Sequence, residues 1–454
     1  MCLSAARSVV LTVTVAGLAA TAPAQTLPPP AVAPAPAPWT RFTLPNGMVV
    51  LVAERPGVPI VIVRASVEAG AVLDPPDKAG VANLTALLVT RGSATRAALE
   101  IDRAVEFVGG SLEGEGGRDA SEVKLSVLRK DLALGLDLLA DTLVRPTFPD
   151  AEFERKREEV QASVRRSDED PGTVAARVLR RLVFGEHPYG RLVTGTEATL
   201  GAITRDDVVA FHRVAYRPER TVVSVAGEVT TAEVRAALEA RVGGWSVATP
   251  VPATPAAVAL GQPSRTEAAD RALTQATILL GQATVTRGHP DFYPLLVASQ
   301  ILGGASSSRL YSRVREERGL AYSVYAQFAP GRLGGLFLVE LQSENARVRE
   351  ALAVAREELI RLRRERVSEE ELTRARSYLV GGFPLRMGTA EEVSELLVGI
   401  ERFSLGLDYP ARFRQAVSAV TAEDVLRAVR AHWDPDGMSL ALVGNLREAG
   451  IGNP

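Results

Sequence analysis

The sequence predicts an α+β protein built from two homologous domains. Three observations lead there: an internal repeat in one register, the same order of strand-like and helix-like segments in both halves, and a linker-like stretch between them. Residues 201–229 align without a gap to residues 418–446 at a constant offset of 217. Thr204 then meets Thr421, Asp207 meets Asp424, Val208 meets Val425, Pro218 meets Pro435 and Gly227 meets Gly444, with Tyr216 opposite Trp433. Self-similarity at a fixed offset marks a duplicated unit.

In chain order, the first element reads as an export signal. Arg7 gives a positive start, Val9–Ala20 is apolar apart from Thr and Gly, and Ala22-Pro23-Ala24 offers small residues for cleavage before Gln25. The run is too short to span a bilayer as a helix, and no later run reaches that length. Six prolines between Pro28 and Pro38 favour an extended tether over 25–39. These features predict a periplasmic or secreted protein with no membrane span.

The first domain is expected over 40–246 and the second over 266–454. Each reads as strands, helices, more strands, long charged helices, then a final helix and strand. In the repeat, Thr204 and Thr421 suit helix N-caps, and a Pro-containing turn leads into a buried strand at Val222–Ala226 or Ser439–Val443. Upstream, Phe148-Pro149-Asp150 opens an amphipathic helix holding Phe153 and Val160. Its counterpart opens at Val367-Ser368 and holds Leu372 and Leu379, with Ser368 and Glu371 forming a capping-box pattern. Residues 247–265, rich in Pro, Ala and Thr, read as the linker.

Composition narrows the chemistry. At 454 residues and 46% hydrophobic, the chain buries a core and is long enough for more than one domain. A formal charge of −2 argues against a nucleic-acid surface, which needs a basic face. The single cysteine, Cys2, leaves with the signal and excludes a disulfide framework or a Cys-based zinc site. Four histidines remain: His187 in a turn-rich loop, His212 in the repeat helix, His289 before Pro290 and His432 before Trp433. No two have ligand spacing along the chain, so no metal site is expected.

The first domain carries Leu44-Pro45-Asn46-Gly47, a strand-like Ile60–Val67, the turn Glu68-Ala69-Gly70 and then Gly80-Val81-Ala82. This succession resembles the start of the pitrilysin and insulinase-like zinc peptidases, the inverzincins. Active members continue with H-x-x-E-H, where histidines at i and i+4 face one way and grip one zinc ion while the glutamate acts on its bound water. Here those positions read Asn83-Leu84-Thr85-Ala86-Leu87. The family's third ligand, a glutamate on a later helix, falls at Ser163 in Val160-Gln161-Ala162-Ser163-Val164. Asn83, Ala86, Leu87 and Ser163 therefore stand where two histidines and two glutamates are needed.

The second domain stays closer to the pattern. It runs from Gly288-His289-Pro290-Asp291 through Ile301-Leu302-Gly303-Gly304 to Val314-Arg315-Glu316-Glu317-Arg318-Gly319-Leu320-Ala321-Tyr322-Ser323. The resemblance implies that Arg315 and Tyr322 project into a substrate chamber, bind the peptide backbone and help hold the attacked carbonyl, as a guanidinium and a phenol can. By residue type alone, Arg315 reads as one more charge on a solvated helix and Tyr322 as a strand residue of the core. Ser121–Leu128 alternates in period two, as a half-buried strand does, and relatives add peptides as an extra strand to a sheet edge in this region.

The resemblance implies two domains, each a mostly antiparallel sheet flanked by helices, that form half of a clamshell. It implies a non-catalytic subunit that binds no cofactor itself, closes the chamber on a zinc-bearing homologous peptidase and binds its peptide substrates. The alternatives are a non-enzymatic peptide-binding or scaffold protein of the same fold, and an autonomous peptidase with an atypical metal site.

Overall fold

The computed structural model describes residues 39–57 and 59–451. The expected export signal and nearly all of the Pro-rich tether lie outside the described residues. In the first half, strands β1 (Trp39–Thr43), β2 (Val49–Glu54) and β3 (Ile60–Val67) precede helices α1 (Val81–Leu88) and α2 (Ala98–Phe107). The hairpin β4 (Ser111–Gly116) and β5 (Ser121–Leu128) follows, then helices α3 (Leu132–Val144), α4 (Asp150–Ser167), α5 (Pro171–Phe184), α6 (Glu197–Ala202) and α7 (Arg205–Ala215). Strand β6 (Thr221–Gly227) and helix α8 (Thr231–Val242) complete it. Residues 247–265 carry no helix or strand.

The second half repeats the plan with β7 (Thr266–Asp270), β8 (Gln275–Thr284), α9 (Phe292–Gly303), β9 (Ser323–Pro330) and β10 (Gly335–Glu344). Helices α10 (Val348–Arg364), α11 (Glu369–Gly382), α12 (Ala390–Arg402), α13 (Tyr409–Ala419) and α14 (Ala422–His432) lead to β11 (Ser439–Gly444). The strand orders are β1-β2-β6-β3-β5-β4 and β7-β11-β8-β10-β9. In each sheet one pair is parallel, β2 with β6 and β7 with β11, and every other pair is antiparallel. Apart from the extra edge strand β1, the two topologies are the same, as the repeat predicts.

Local chemistry starts the repeated helices where the sequence places them. Thr204 accepts the Asp207 amide at 3.3 Å and Thr421 accepts the Asp424 amide at 3.1 Å. Each aspartate carboxylate returns the bond to the threonine amide, which satisfies amides the helix itself leaves unpaired. Ser368 and Glu371 close the same box on α11.

The two halves cover each other's sheets. Helix α5 lays Val174, Leu179, Val183 and Phe184 against Leu279, Leu338, Ala441 and Val443 of the second sheet. Its repeat counterpart, α12, packs on β3 and β6 of the first, and its Val393 and Leu397 join Leu51, Ala53 and Ala226 in one core. A sheet needs both faces covered when both are apolar, so neither half is complete alone.

Polar bonds fix α12 on its foreign sheet. Ser224 Oγ lies 2.9 Å from both the carbonyl and the hydroxyl of Ser394, and both serines are fully buried. Arg55 caps the turn before α12, donating to the carbonyls of Met387 at 2.9 Å and Gly388 at 3.2 Å. Arg64, on β3, pairs with Glu122 at 2.6 Å and with Glu391 at 2.5 Å, while Arg402 reaches Glu122 at 2.7 Å. Burial alone would raise the Glu122 carboxyl, but Arg402 and Arg64 together hold it below its ordinary range.

His212 is an ordinary helix residue with a thermodynamic consequence. Its Nε2 donates to the Leu143 carbonyl at 3.0 Å, and burial pushes its pKa down to about 4. The folded chain thus keeps this imidazole neutral where the unfolded chain binds a proton.

Two outcomes follow. Glu122→Ala leaves the buried Arg64 and Arg402 short of a counter-charge and lowers stability by about 3 kcal/mol in urea unfolding. The depressed pKa of His212 gives a stability contribution present above pH 6.5 and lost as the pH falls towards 4, on the order of 3 kcal/mol in full. His212→Gln, still able to donate to Leu143, flattens the acid limb relative to the parent in unfolding at stepped pH.

Candidate functional site

Helix α1 begins at Gly80, whose φ of 104° places it in the left-handed region that glycine occupies at little cost. The carboxylate of Asp74 accepts the amides of Gly80 at 2.7 Å and Ala82 at 2.9 Å, anchoring the helix start. Burial raises the Asp74 pKa to about 7 against the pull of those two amides and of Arg191. Along its length α1 rests on the edge strand β4. A Cβ at Gly114 would sit 1.9 Å from the Ala86 carbonyl oxygen, and one at Gly116 would sit 2.5 Å from the Asn83 Cα. These two glycines let helix and strand approach backbone to backbone.

The four degenerate positions are distributed over this junction. Asn83 and Ala86 are buried against β4, Leu87 is partly buried against the first core, and Ser163 is exposed on α4, which packs on α1. Zinc sites are built from imidazole, thiolate and carboxylate donors. Leu87 and Ala86 offer no donor, and Asn83 and Ser163 offer only neutral oxygens. Leu112, Gly114 and Gly116 take the α1 side of β4, so strand alternation sends Glu113 and Glu115 to the other side. The residues present do not fit a catalytic zinc ion.

Strand β5 has the expected alternating burial, yet it is no edge: β3 pairs with one side and β4 with the other. The free edge belongs to β4, beside α1. Sequence alternation identifies a strand but not its neighbours, because pairing is decided between distant segments.

Arg315 and Tyr322 are brought together. Arg315 lies in a π-helical segment, Tyr311–Glu316, with its guanidinium carbon 4.9 Å from the Tyr311 ring centre and 5.7 Å from that of Tyr322. Tyr322 is 71% exposed, which rules out the core reading, while its amide donates to the Gln342 carbonyl at 2.8 Å. Neighbouring Arg313 and Arg318 are ion-paired to Glu317 and Glu350, whereas Arg315 has no carboxylate partner among the described residues. Its charge and the phenol therefore face solvent side by side.

One arrangement escaped the sequence. His289, the buried Asp291 and His432 each offer a ligand atom, and these atoms lie within 4.8 Å of one another. Ligand spacing along one helix or loop cannot register this group, because the contact is made by folding residue 432 back onto residue 289. His187 and His212 stay apart from this group, bonded to the carbonyls of Ala256 and Leu143. Among the described residues, no helix is long and apolar enough to cross a membrane.

Comparison with known proteins agrees with this geometry. The family model "Insulinase (Peptidase family M16)" matches residues 49–197, and "Peptidase M16 inactive domain" matches residues 202–379. An uncharacterized zinc protease of Streptomyces coelicolor is 29% identical over 90% of each chain. One from Mycobacterium leprae is 32% identical over 76% of this chain and 78% of its own. A crystal structure of a peptidase M16 inactive domain from Pseudomonas fluorescens superposes with a TM-score of 0.84 at 25% identity, covering 89% of this chain and 98% of that one. With both halves matched and the fold shared, the chain belongs to the M16 peptidase family, the insulinase- and pitrilysin-like group.

Proposed function

We propose that this chain is a non-catalytic subunit of a zinc endopeptidase, pairing with a zinc-bearing homologue to close a peptide chamber. The observation that carries the reading is the split between the two halves. Positions 83, 86, 87 and 163 hold no zinc ligand and no general base, while Arg315 and Tyr322 stand exposed and adjacent. Without a metal-activated water the chain has no nucleophile at α1. A guanidinium and a phenol remain able to bind a peptide carbonyl and stabilise charge on it as it develops.

The free edge of β4 beside α1 supports peptide binding as well. An extended peptide laid there would gain main-chain hydrogen bonds in register, with side chains alternating in and out. The partner would supply the zinc, and this chain would bind none at α1. The N-terminal signal pattern supports a periplasmic or secreted setting for the assembly.

The purified chain is expected to leave unstructured peptides intact. Mixed with a zinc-bearing homologous subunit, it is expected to raise peptide turnover well above that of the homologue alone. In that mixture Arg315→Ala and Tyr322→Phe each lower kcat/KM by about tenfold or more, with complex formation by size-exclusion chromatography unchanged. Unaided hydrolysis by this chain, or unchanged turnover with both variants, overturns the reading.

A further inference from the structure

The cluster of His289, Asp291 and His432 lies in the second half, and α1 contributes nothing to it. Asp291 precedes the first residue of α9, and His432 is the last residue of α14, so the cluster ties the start of one helix to the end of another. His432 Nε2 lies 2.8 Å from Asp291 Oδ2, and Arg427 Nη2 holds the other carboxylate oxygen at 2.7 Å. The two imidazole rings meet edge to face with centres 4.9 Å apart. Asp291 is buried and both histidines are partly buried, so the site is sheltered but reachable from solvent.

From this geometry we infer a binding site for one divalent zinc-class ion, held by one ring nitrogen each of His289 and His432 and by Asp291 Oδ2. Two imidazoles and a carboxylate suit zinc among the available divalent metals, and three protein ligands leave a fourth position for water. His432 closes α14, and the negative end of that helix dipole favours a cation there. Arg427 takes the place of an outer-shell partner: it engages the carboxylate oxygen the ion does not use and orients the other.

The proton balance is simple. When His432 binds the ion, the proton on Nε2 passes by way of solvent to Nδ1, so the ring keeps one proton and the Nε2–Asp291 hydrogen bond is replaced by two bonds to metal. His289 Nδ1 accepts the Asp291 amide at 3.0 Å, and the partly exposed ring turns to offer a nitrogen at the expense of that one bond. No redox step or co-reactant is involved. The ion would act as a clip between α9 and α14, and its binding does not depend on peptide turnover or on a partner chain.

The test uses the full-length chain, stripped with a chelator and titrated with zinc against a chromophoric competitor, with cobalt as a spectroscopic substitute. The expected result is one equivalent bound at micromolar or tighter Kd, a melting temperature several degrees higher with zinc, and visible cobalt bands of a low-coordinate site. His432→Gln and His289→Gln each weaken binding at least tenfold. His289→Gln alters an accessible turn and keeps the test decisive if His432→Gln does not fold. No uptake by the parent chain, or uptake that neither variant weakens, overturns the inference.

Discussion

The structure depends on an exchange of helices between its two halves. Each sheet has one face covered by its own helices and the other by a helix from the other half, α5 on the second sheet and α12 on the first. The apolar faces thus buried are the main favourable term, since burial returns roughly 25 cal/mol for each square ångström of apolar surface. The ion pairs around Arg64, Glu122, Glu391 and Arg402 do something different. Buried charges contribute little net stability but penalise any arrangement that leaves one unpaired, so they fix where α12 sits. A sheared or slipped α12 would part Glu391 from Arg64 and Arg402 from Glu122.

That constraint bears on the junction of α1, α4 and β4. The glycines at 114 and 116 let α1 press against the sheet edge, a contact that any Cβ there would prevent. The helix keeps its place through this packing and through the Asp74 anchor, neither of which involves a metal. The position of α1 therefore does not depend on a bound ion. Asn83, Ala86 and Leu87 are small or apolar enough to be buried or half-buried without an unpaired charge, which a lone histidine pair or glutamate would risk. The first half also leaves β4 at a sheet edge beside that helix.

The second half carries a different exposed feature. The π-helical turn at Tyr311–Glu316 widens the helix by one residue per turn, a local distortion common at functional positions. Arg315 is left between two tyrosine rings and, among the described residues, without a carboxylate, while Arg313 and Arg318 are ion-paired. An unneutralised guanidinium beside an exposed phenol is suited to a carbonyl or carboxylate arriving from outside. The opposite end of α9 gathers His289, Asp291 and His432.

The sequence alone determined the duplicated plan and the helix starts, and it gives the residue types at Asn83, Ala86, Leu87 and Ser163. These are local facts: caps, period-two strands and residue types at fixed spacing act over a few residues. The family resemblance singled out Arg315 and Tyr322, while residue type alone left the tyrosine to a core reading. Only the tertiary structure decided that β4, not β5, owns the sheet edge, that α5 and α12 trade sheets, and that two histidines 143 residues apart converge on Asp291. Each of those depends on which distant surfaces bury one another, and apolar burial is non-directional along the chain, so no short window of sequence records it.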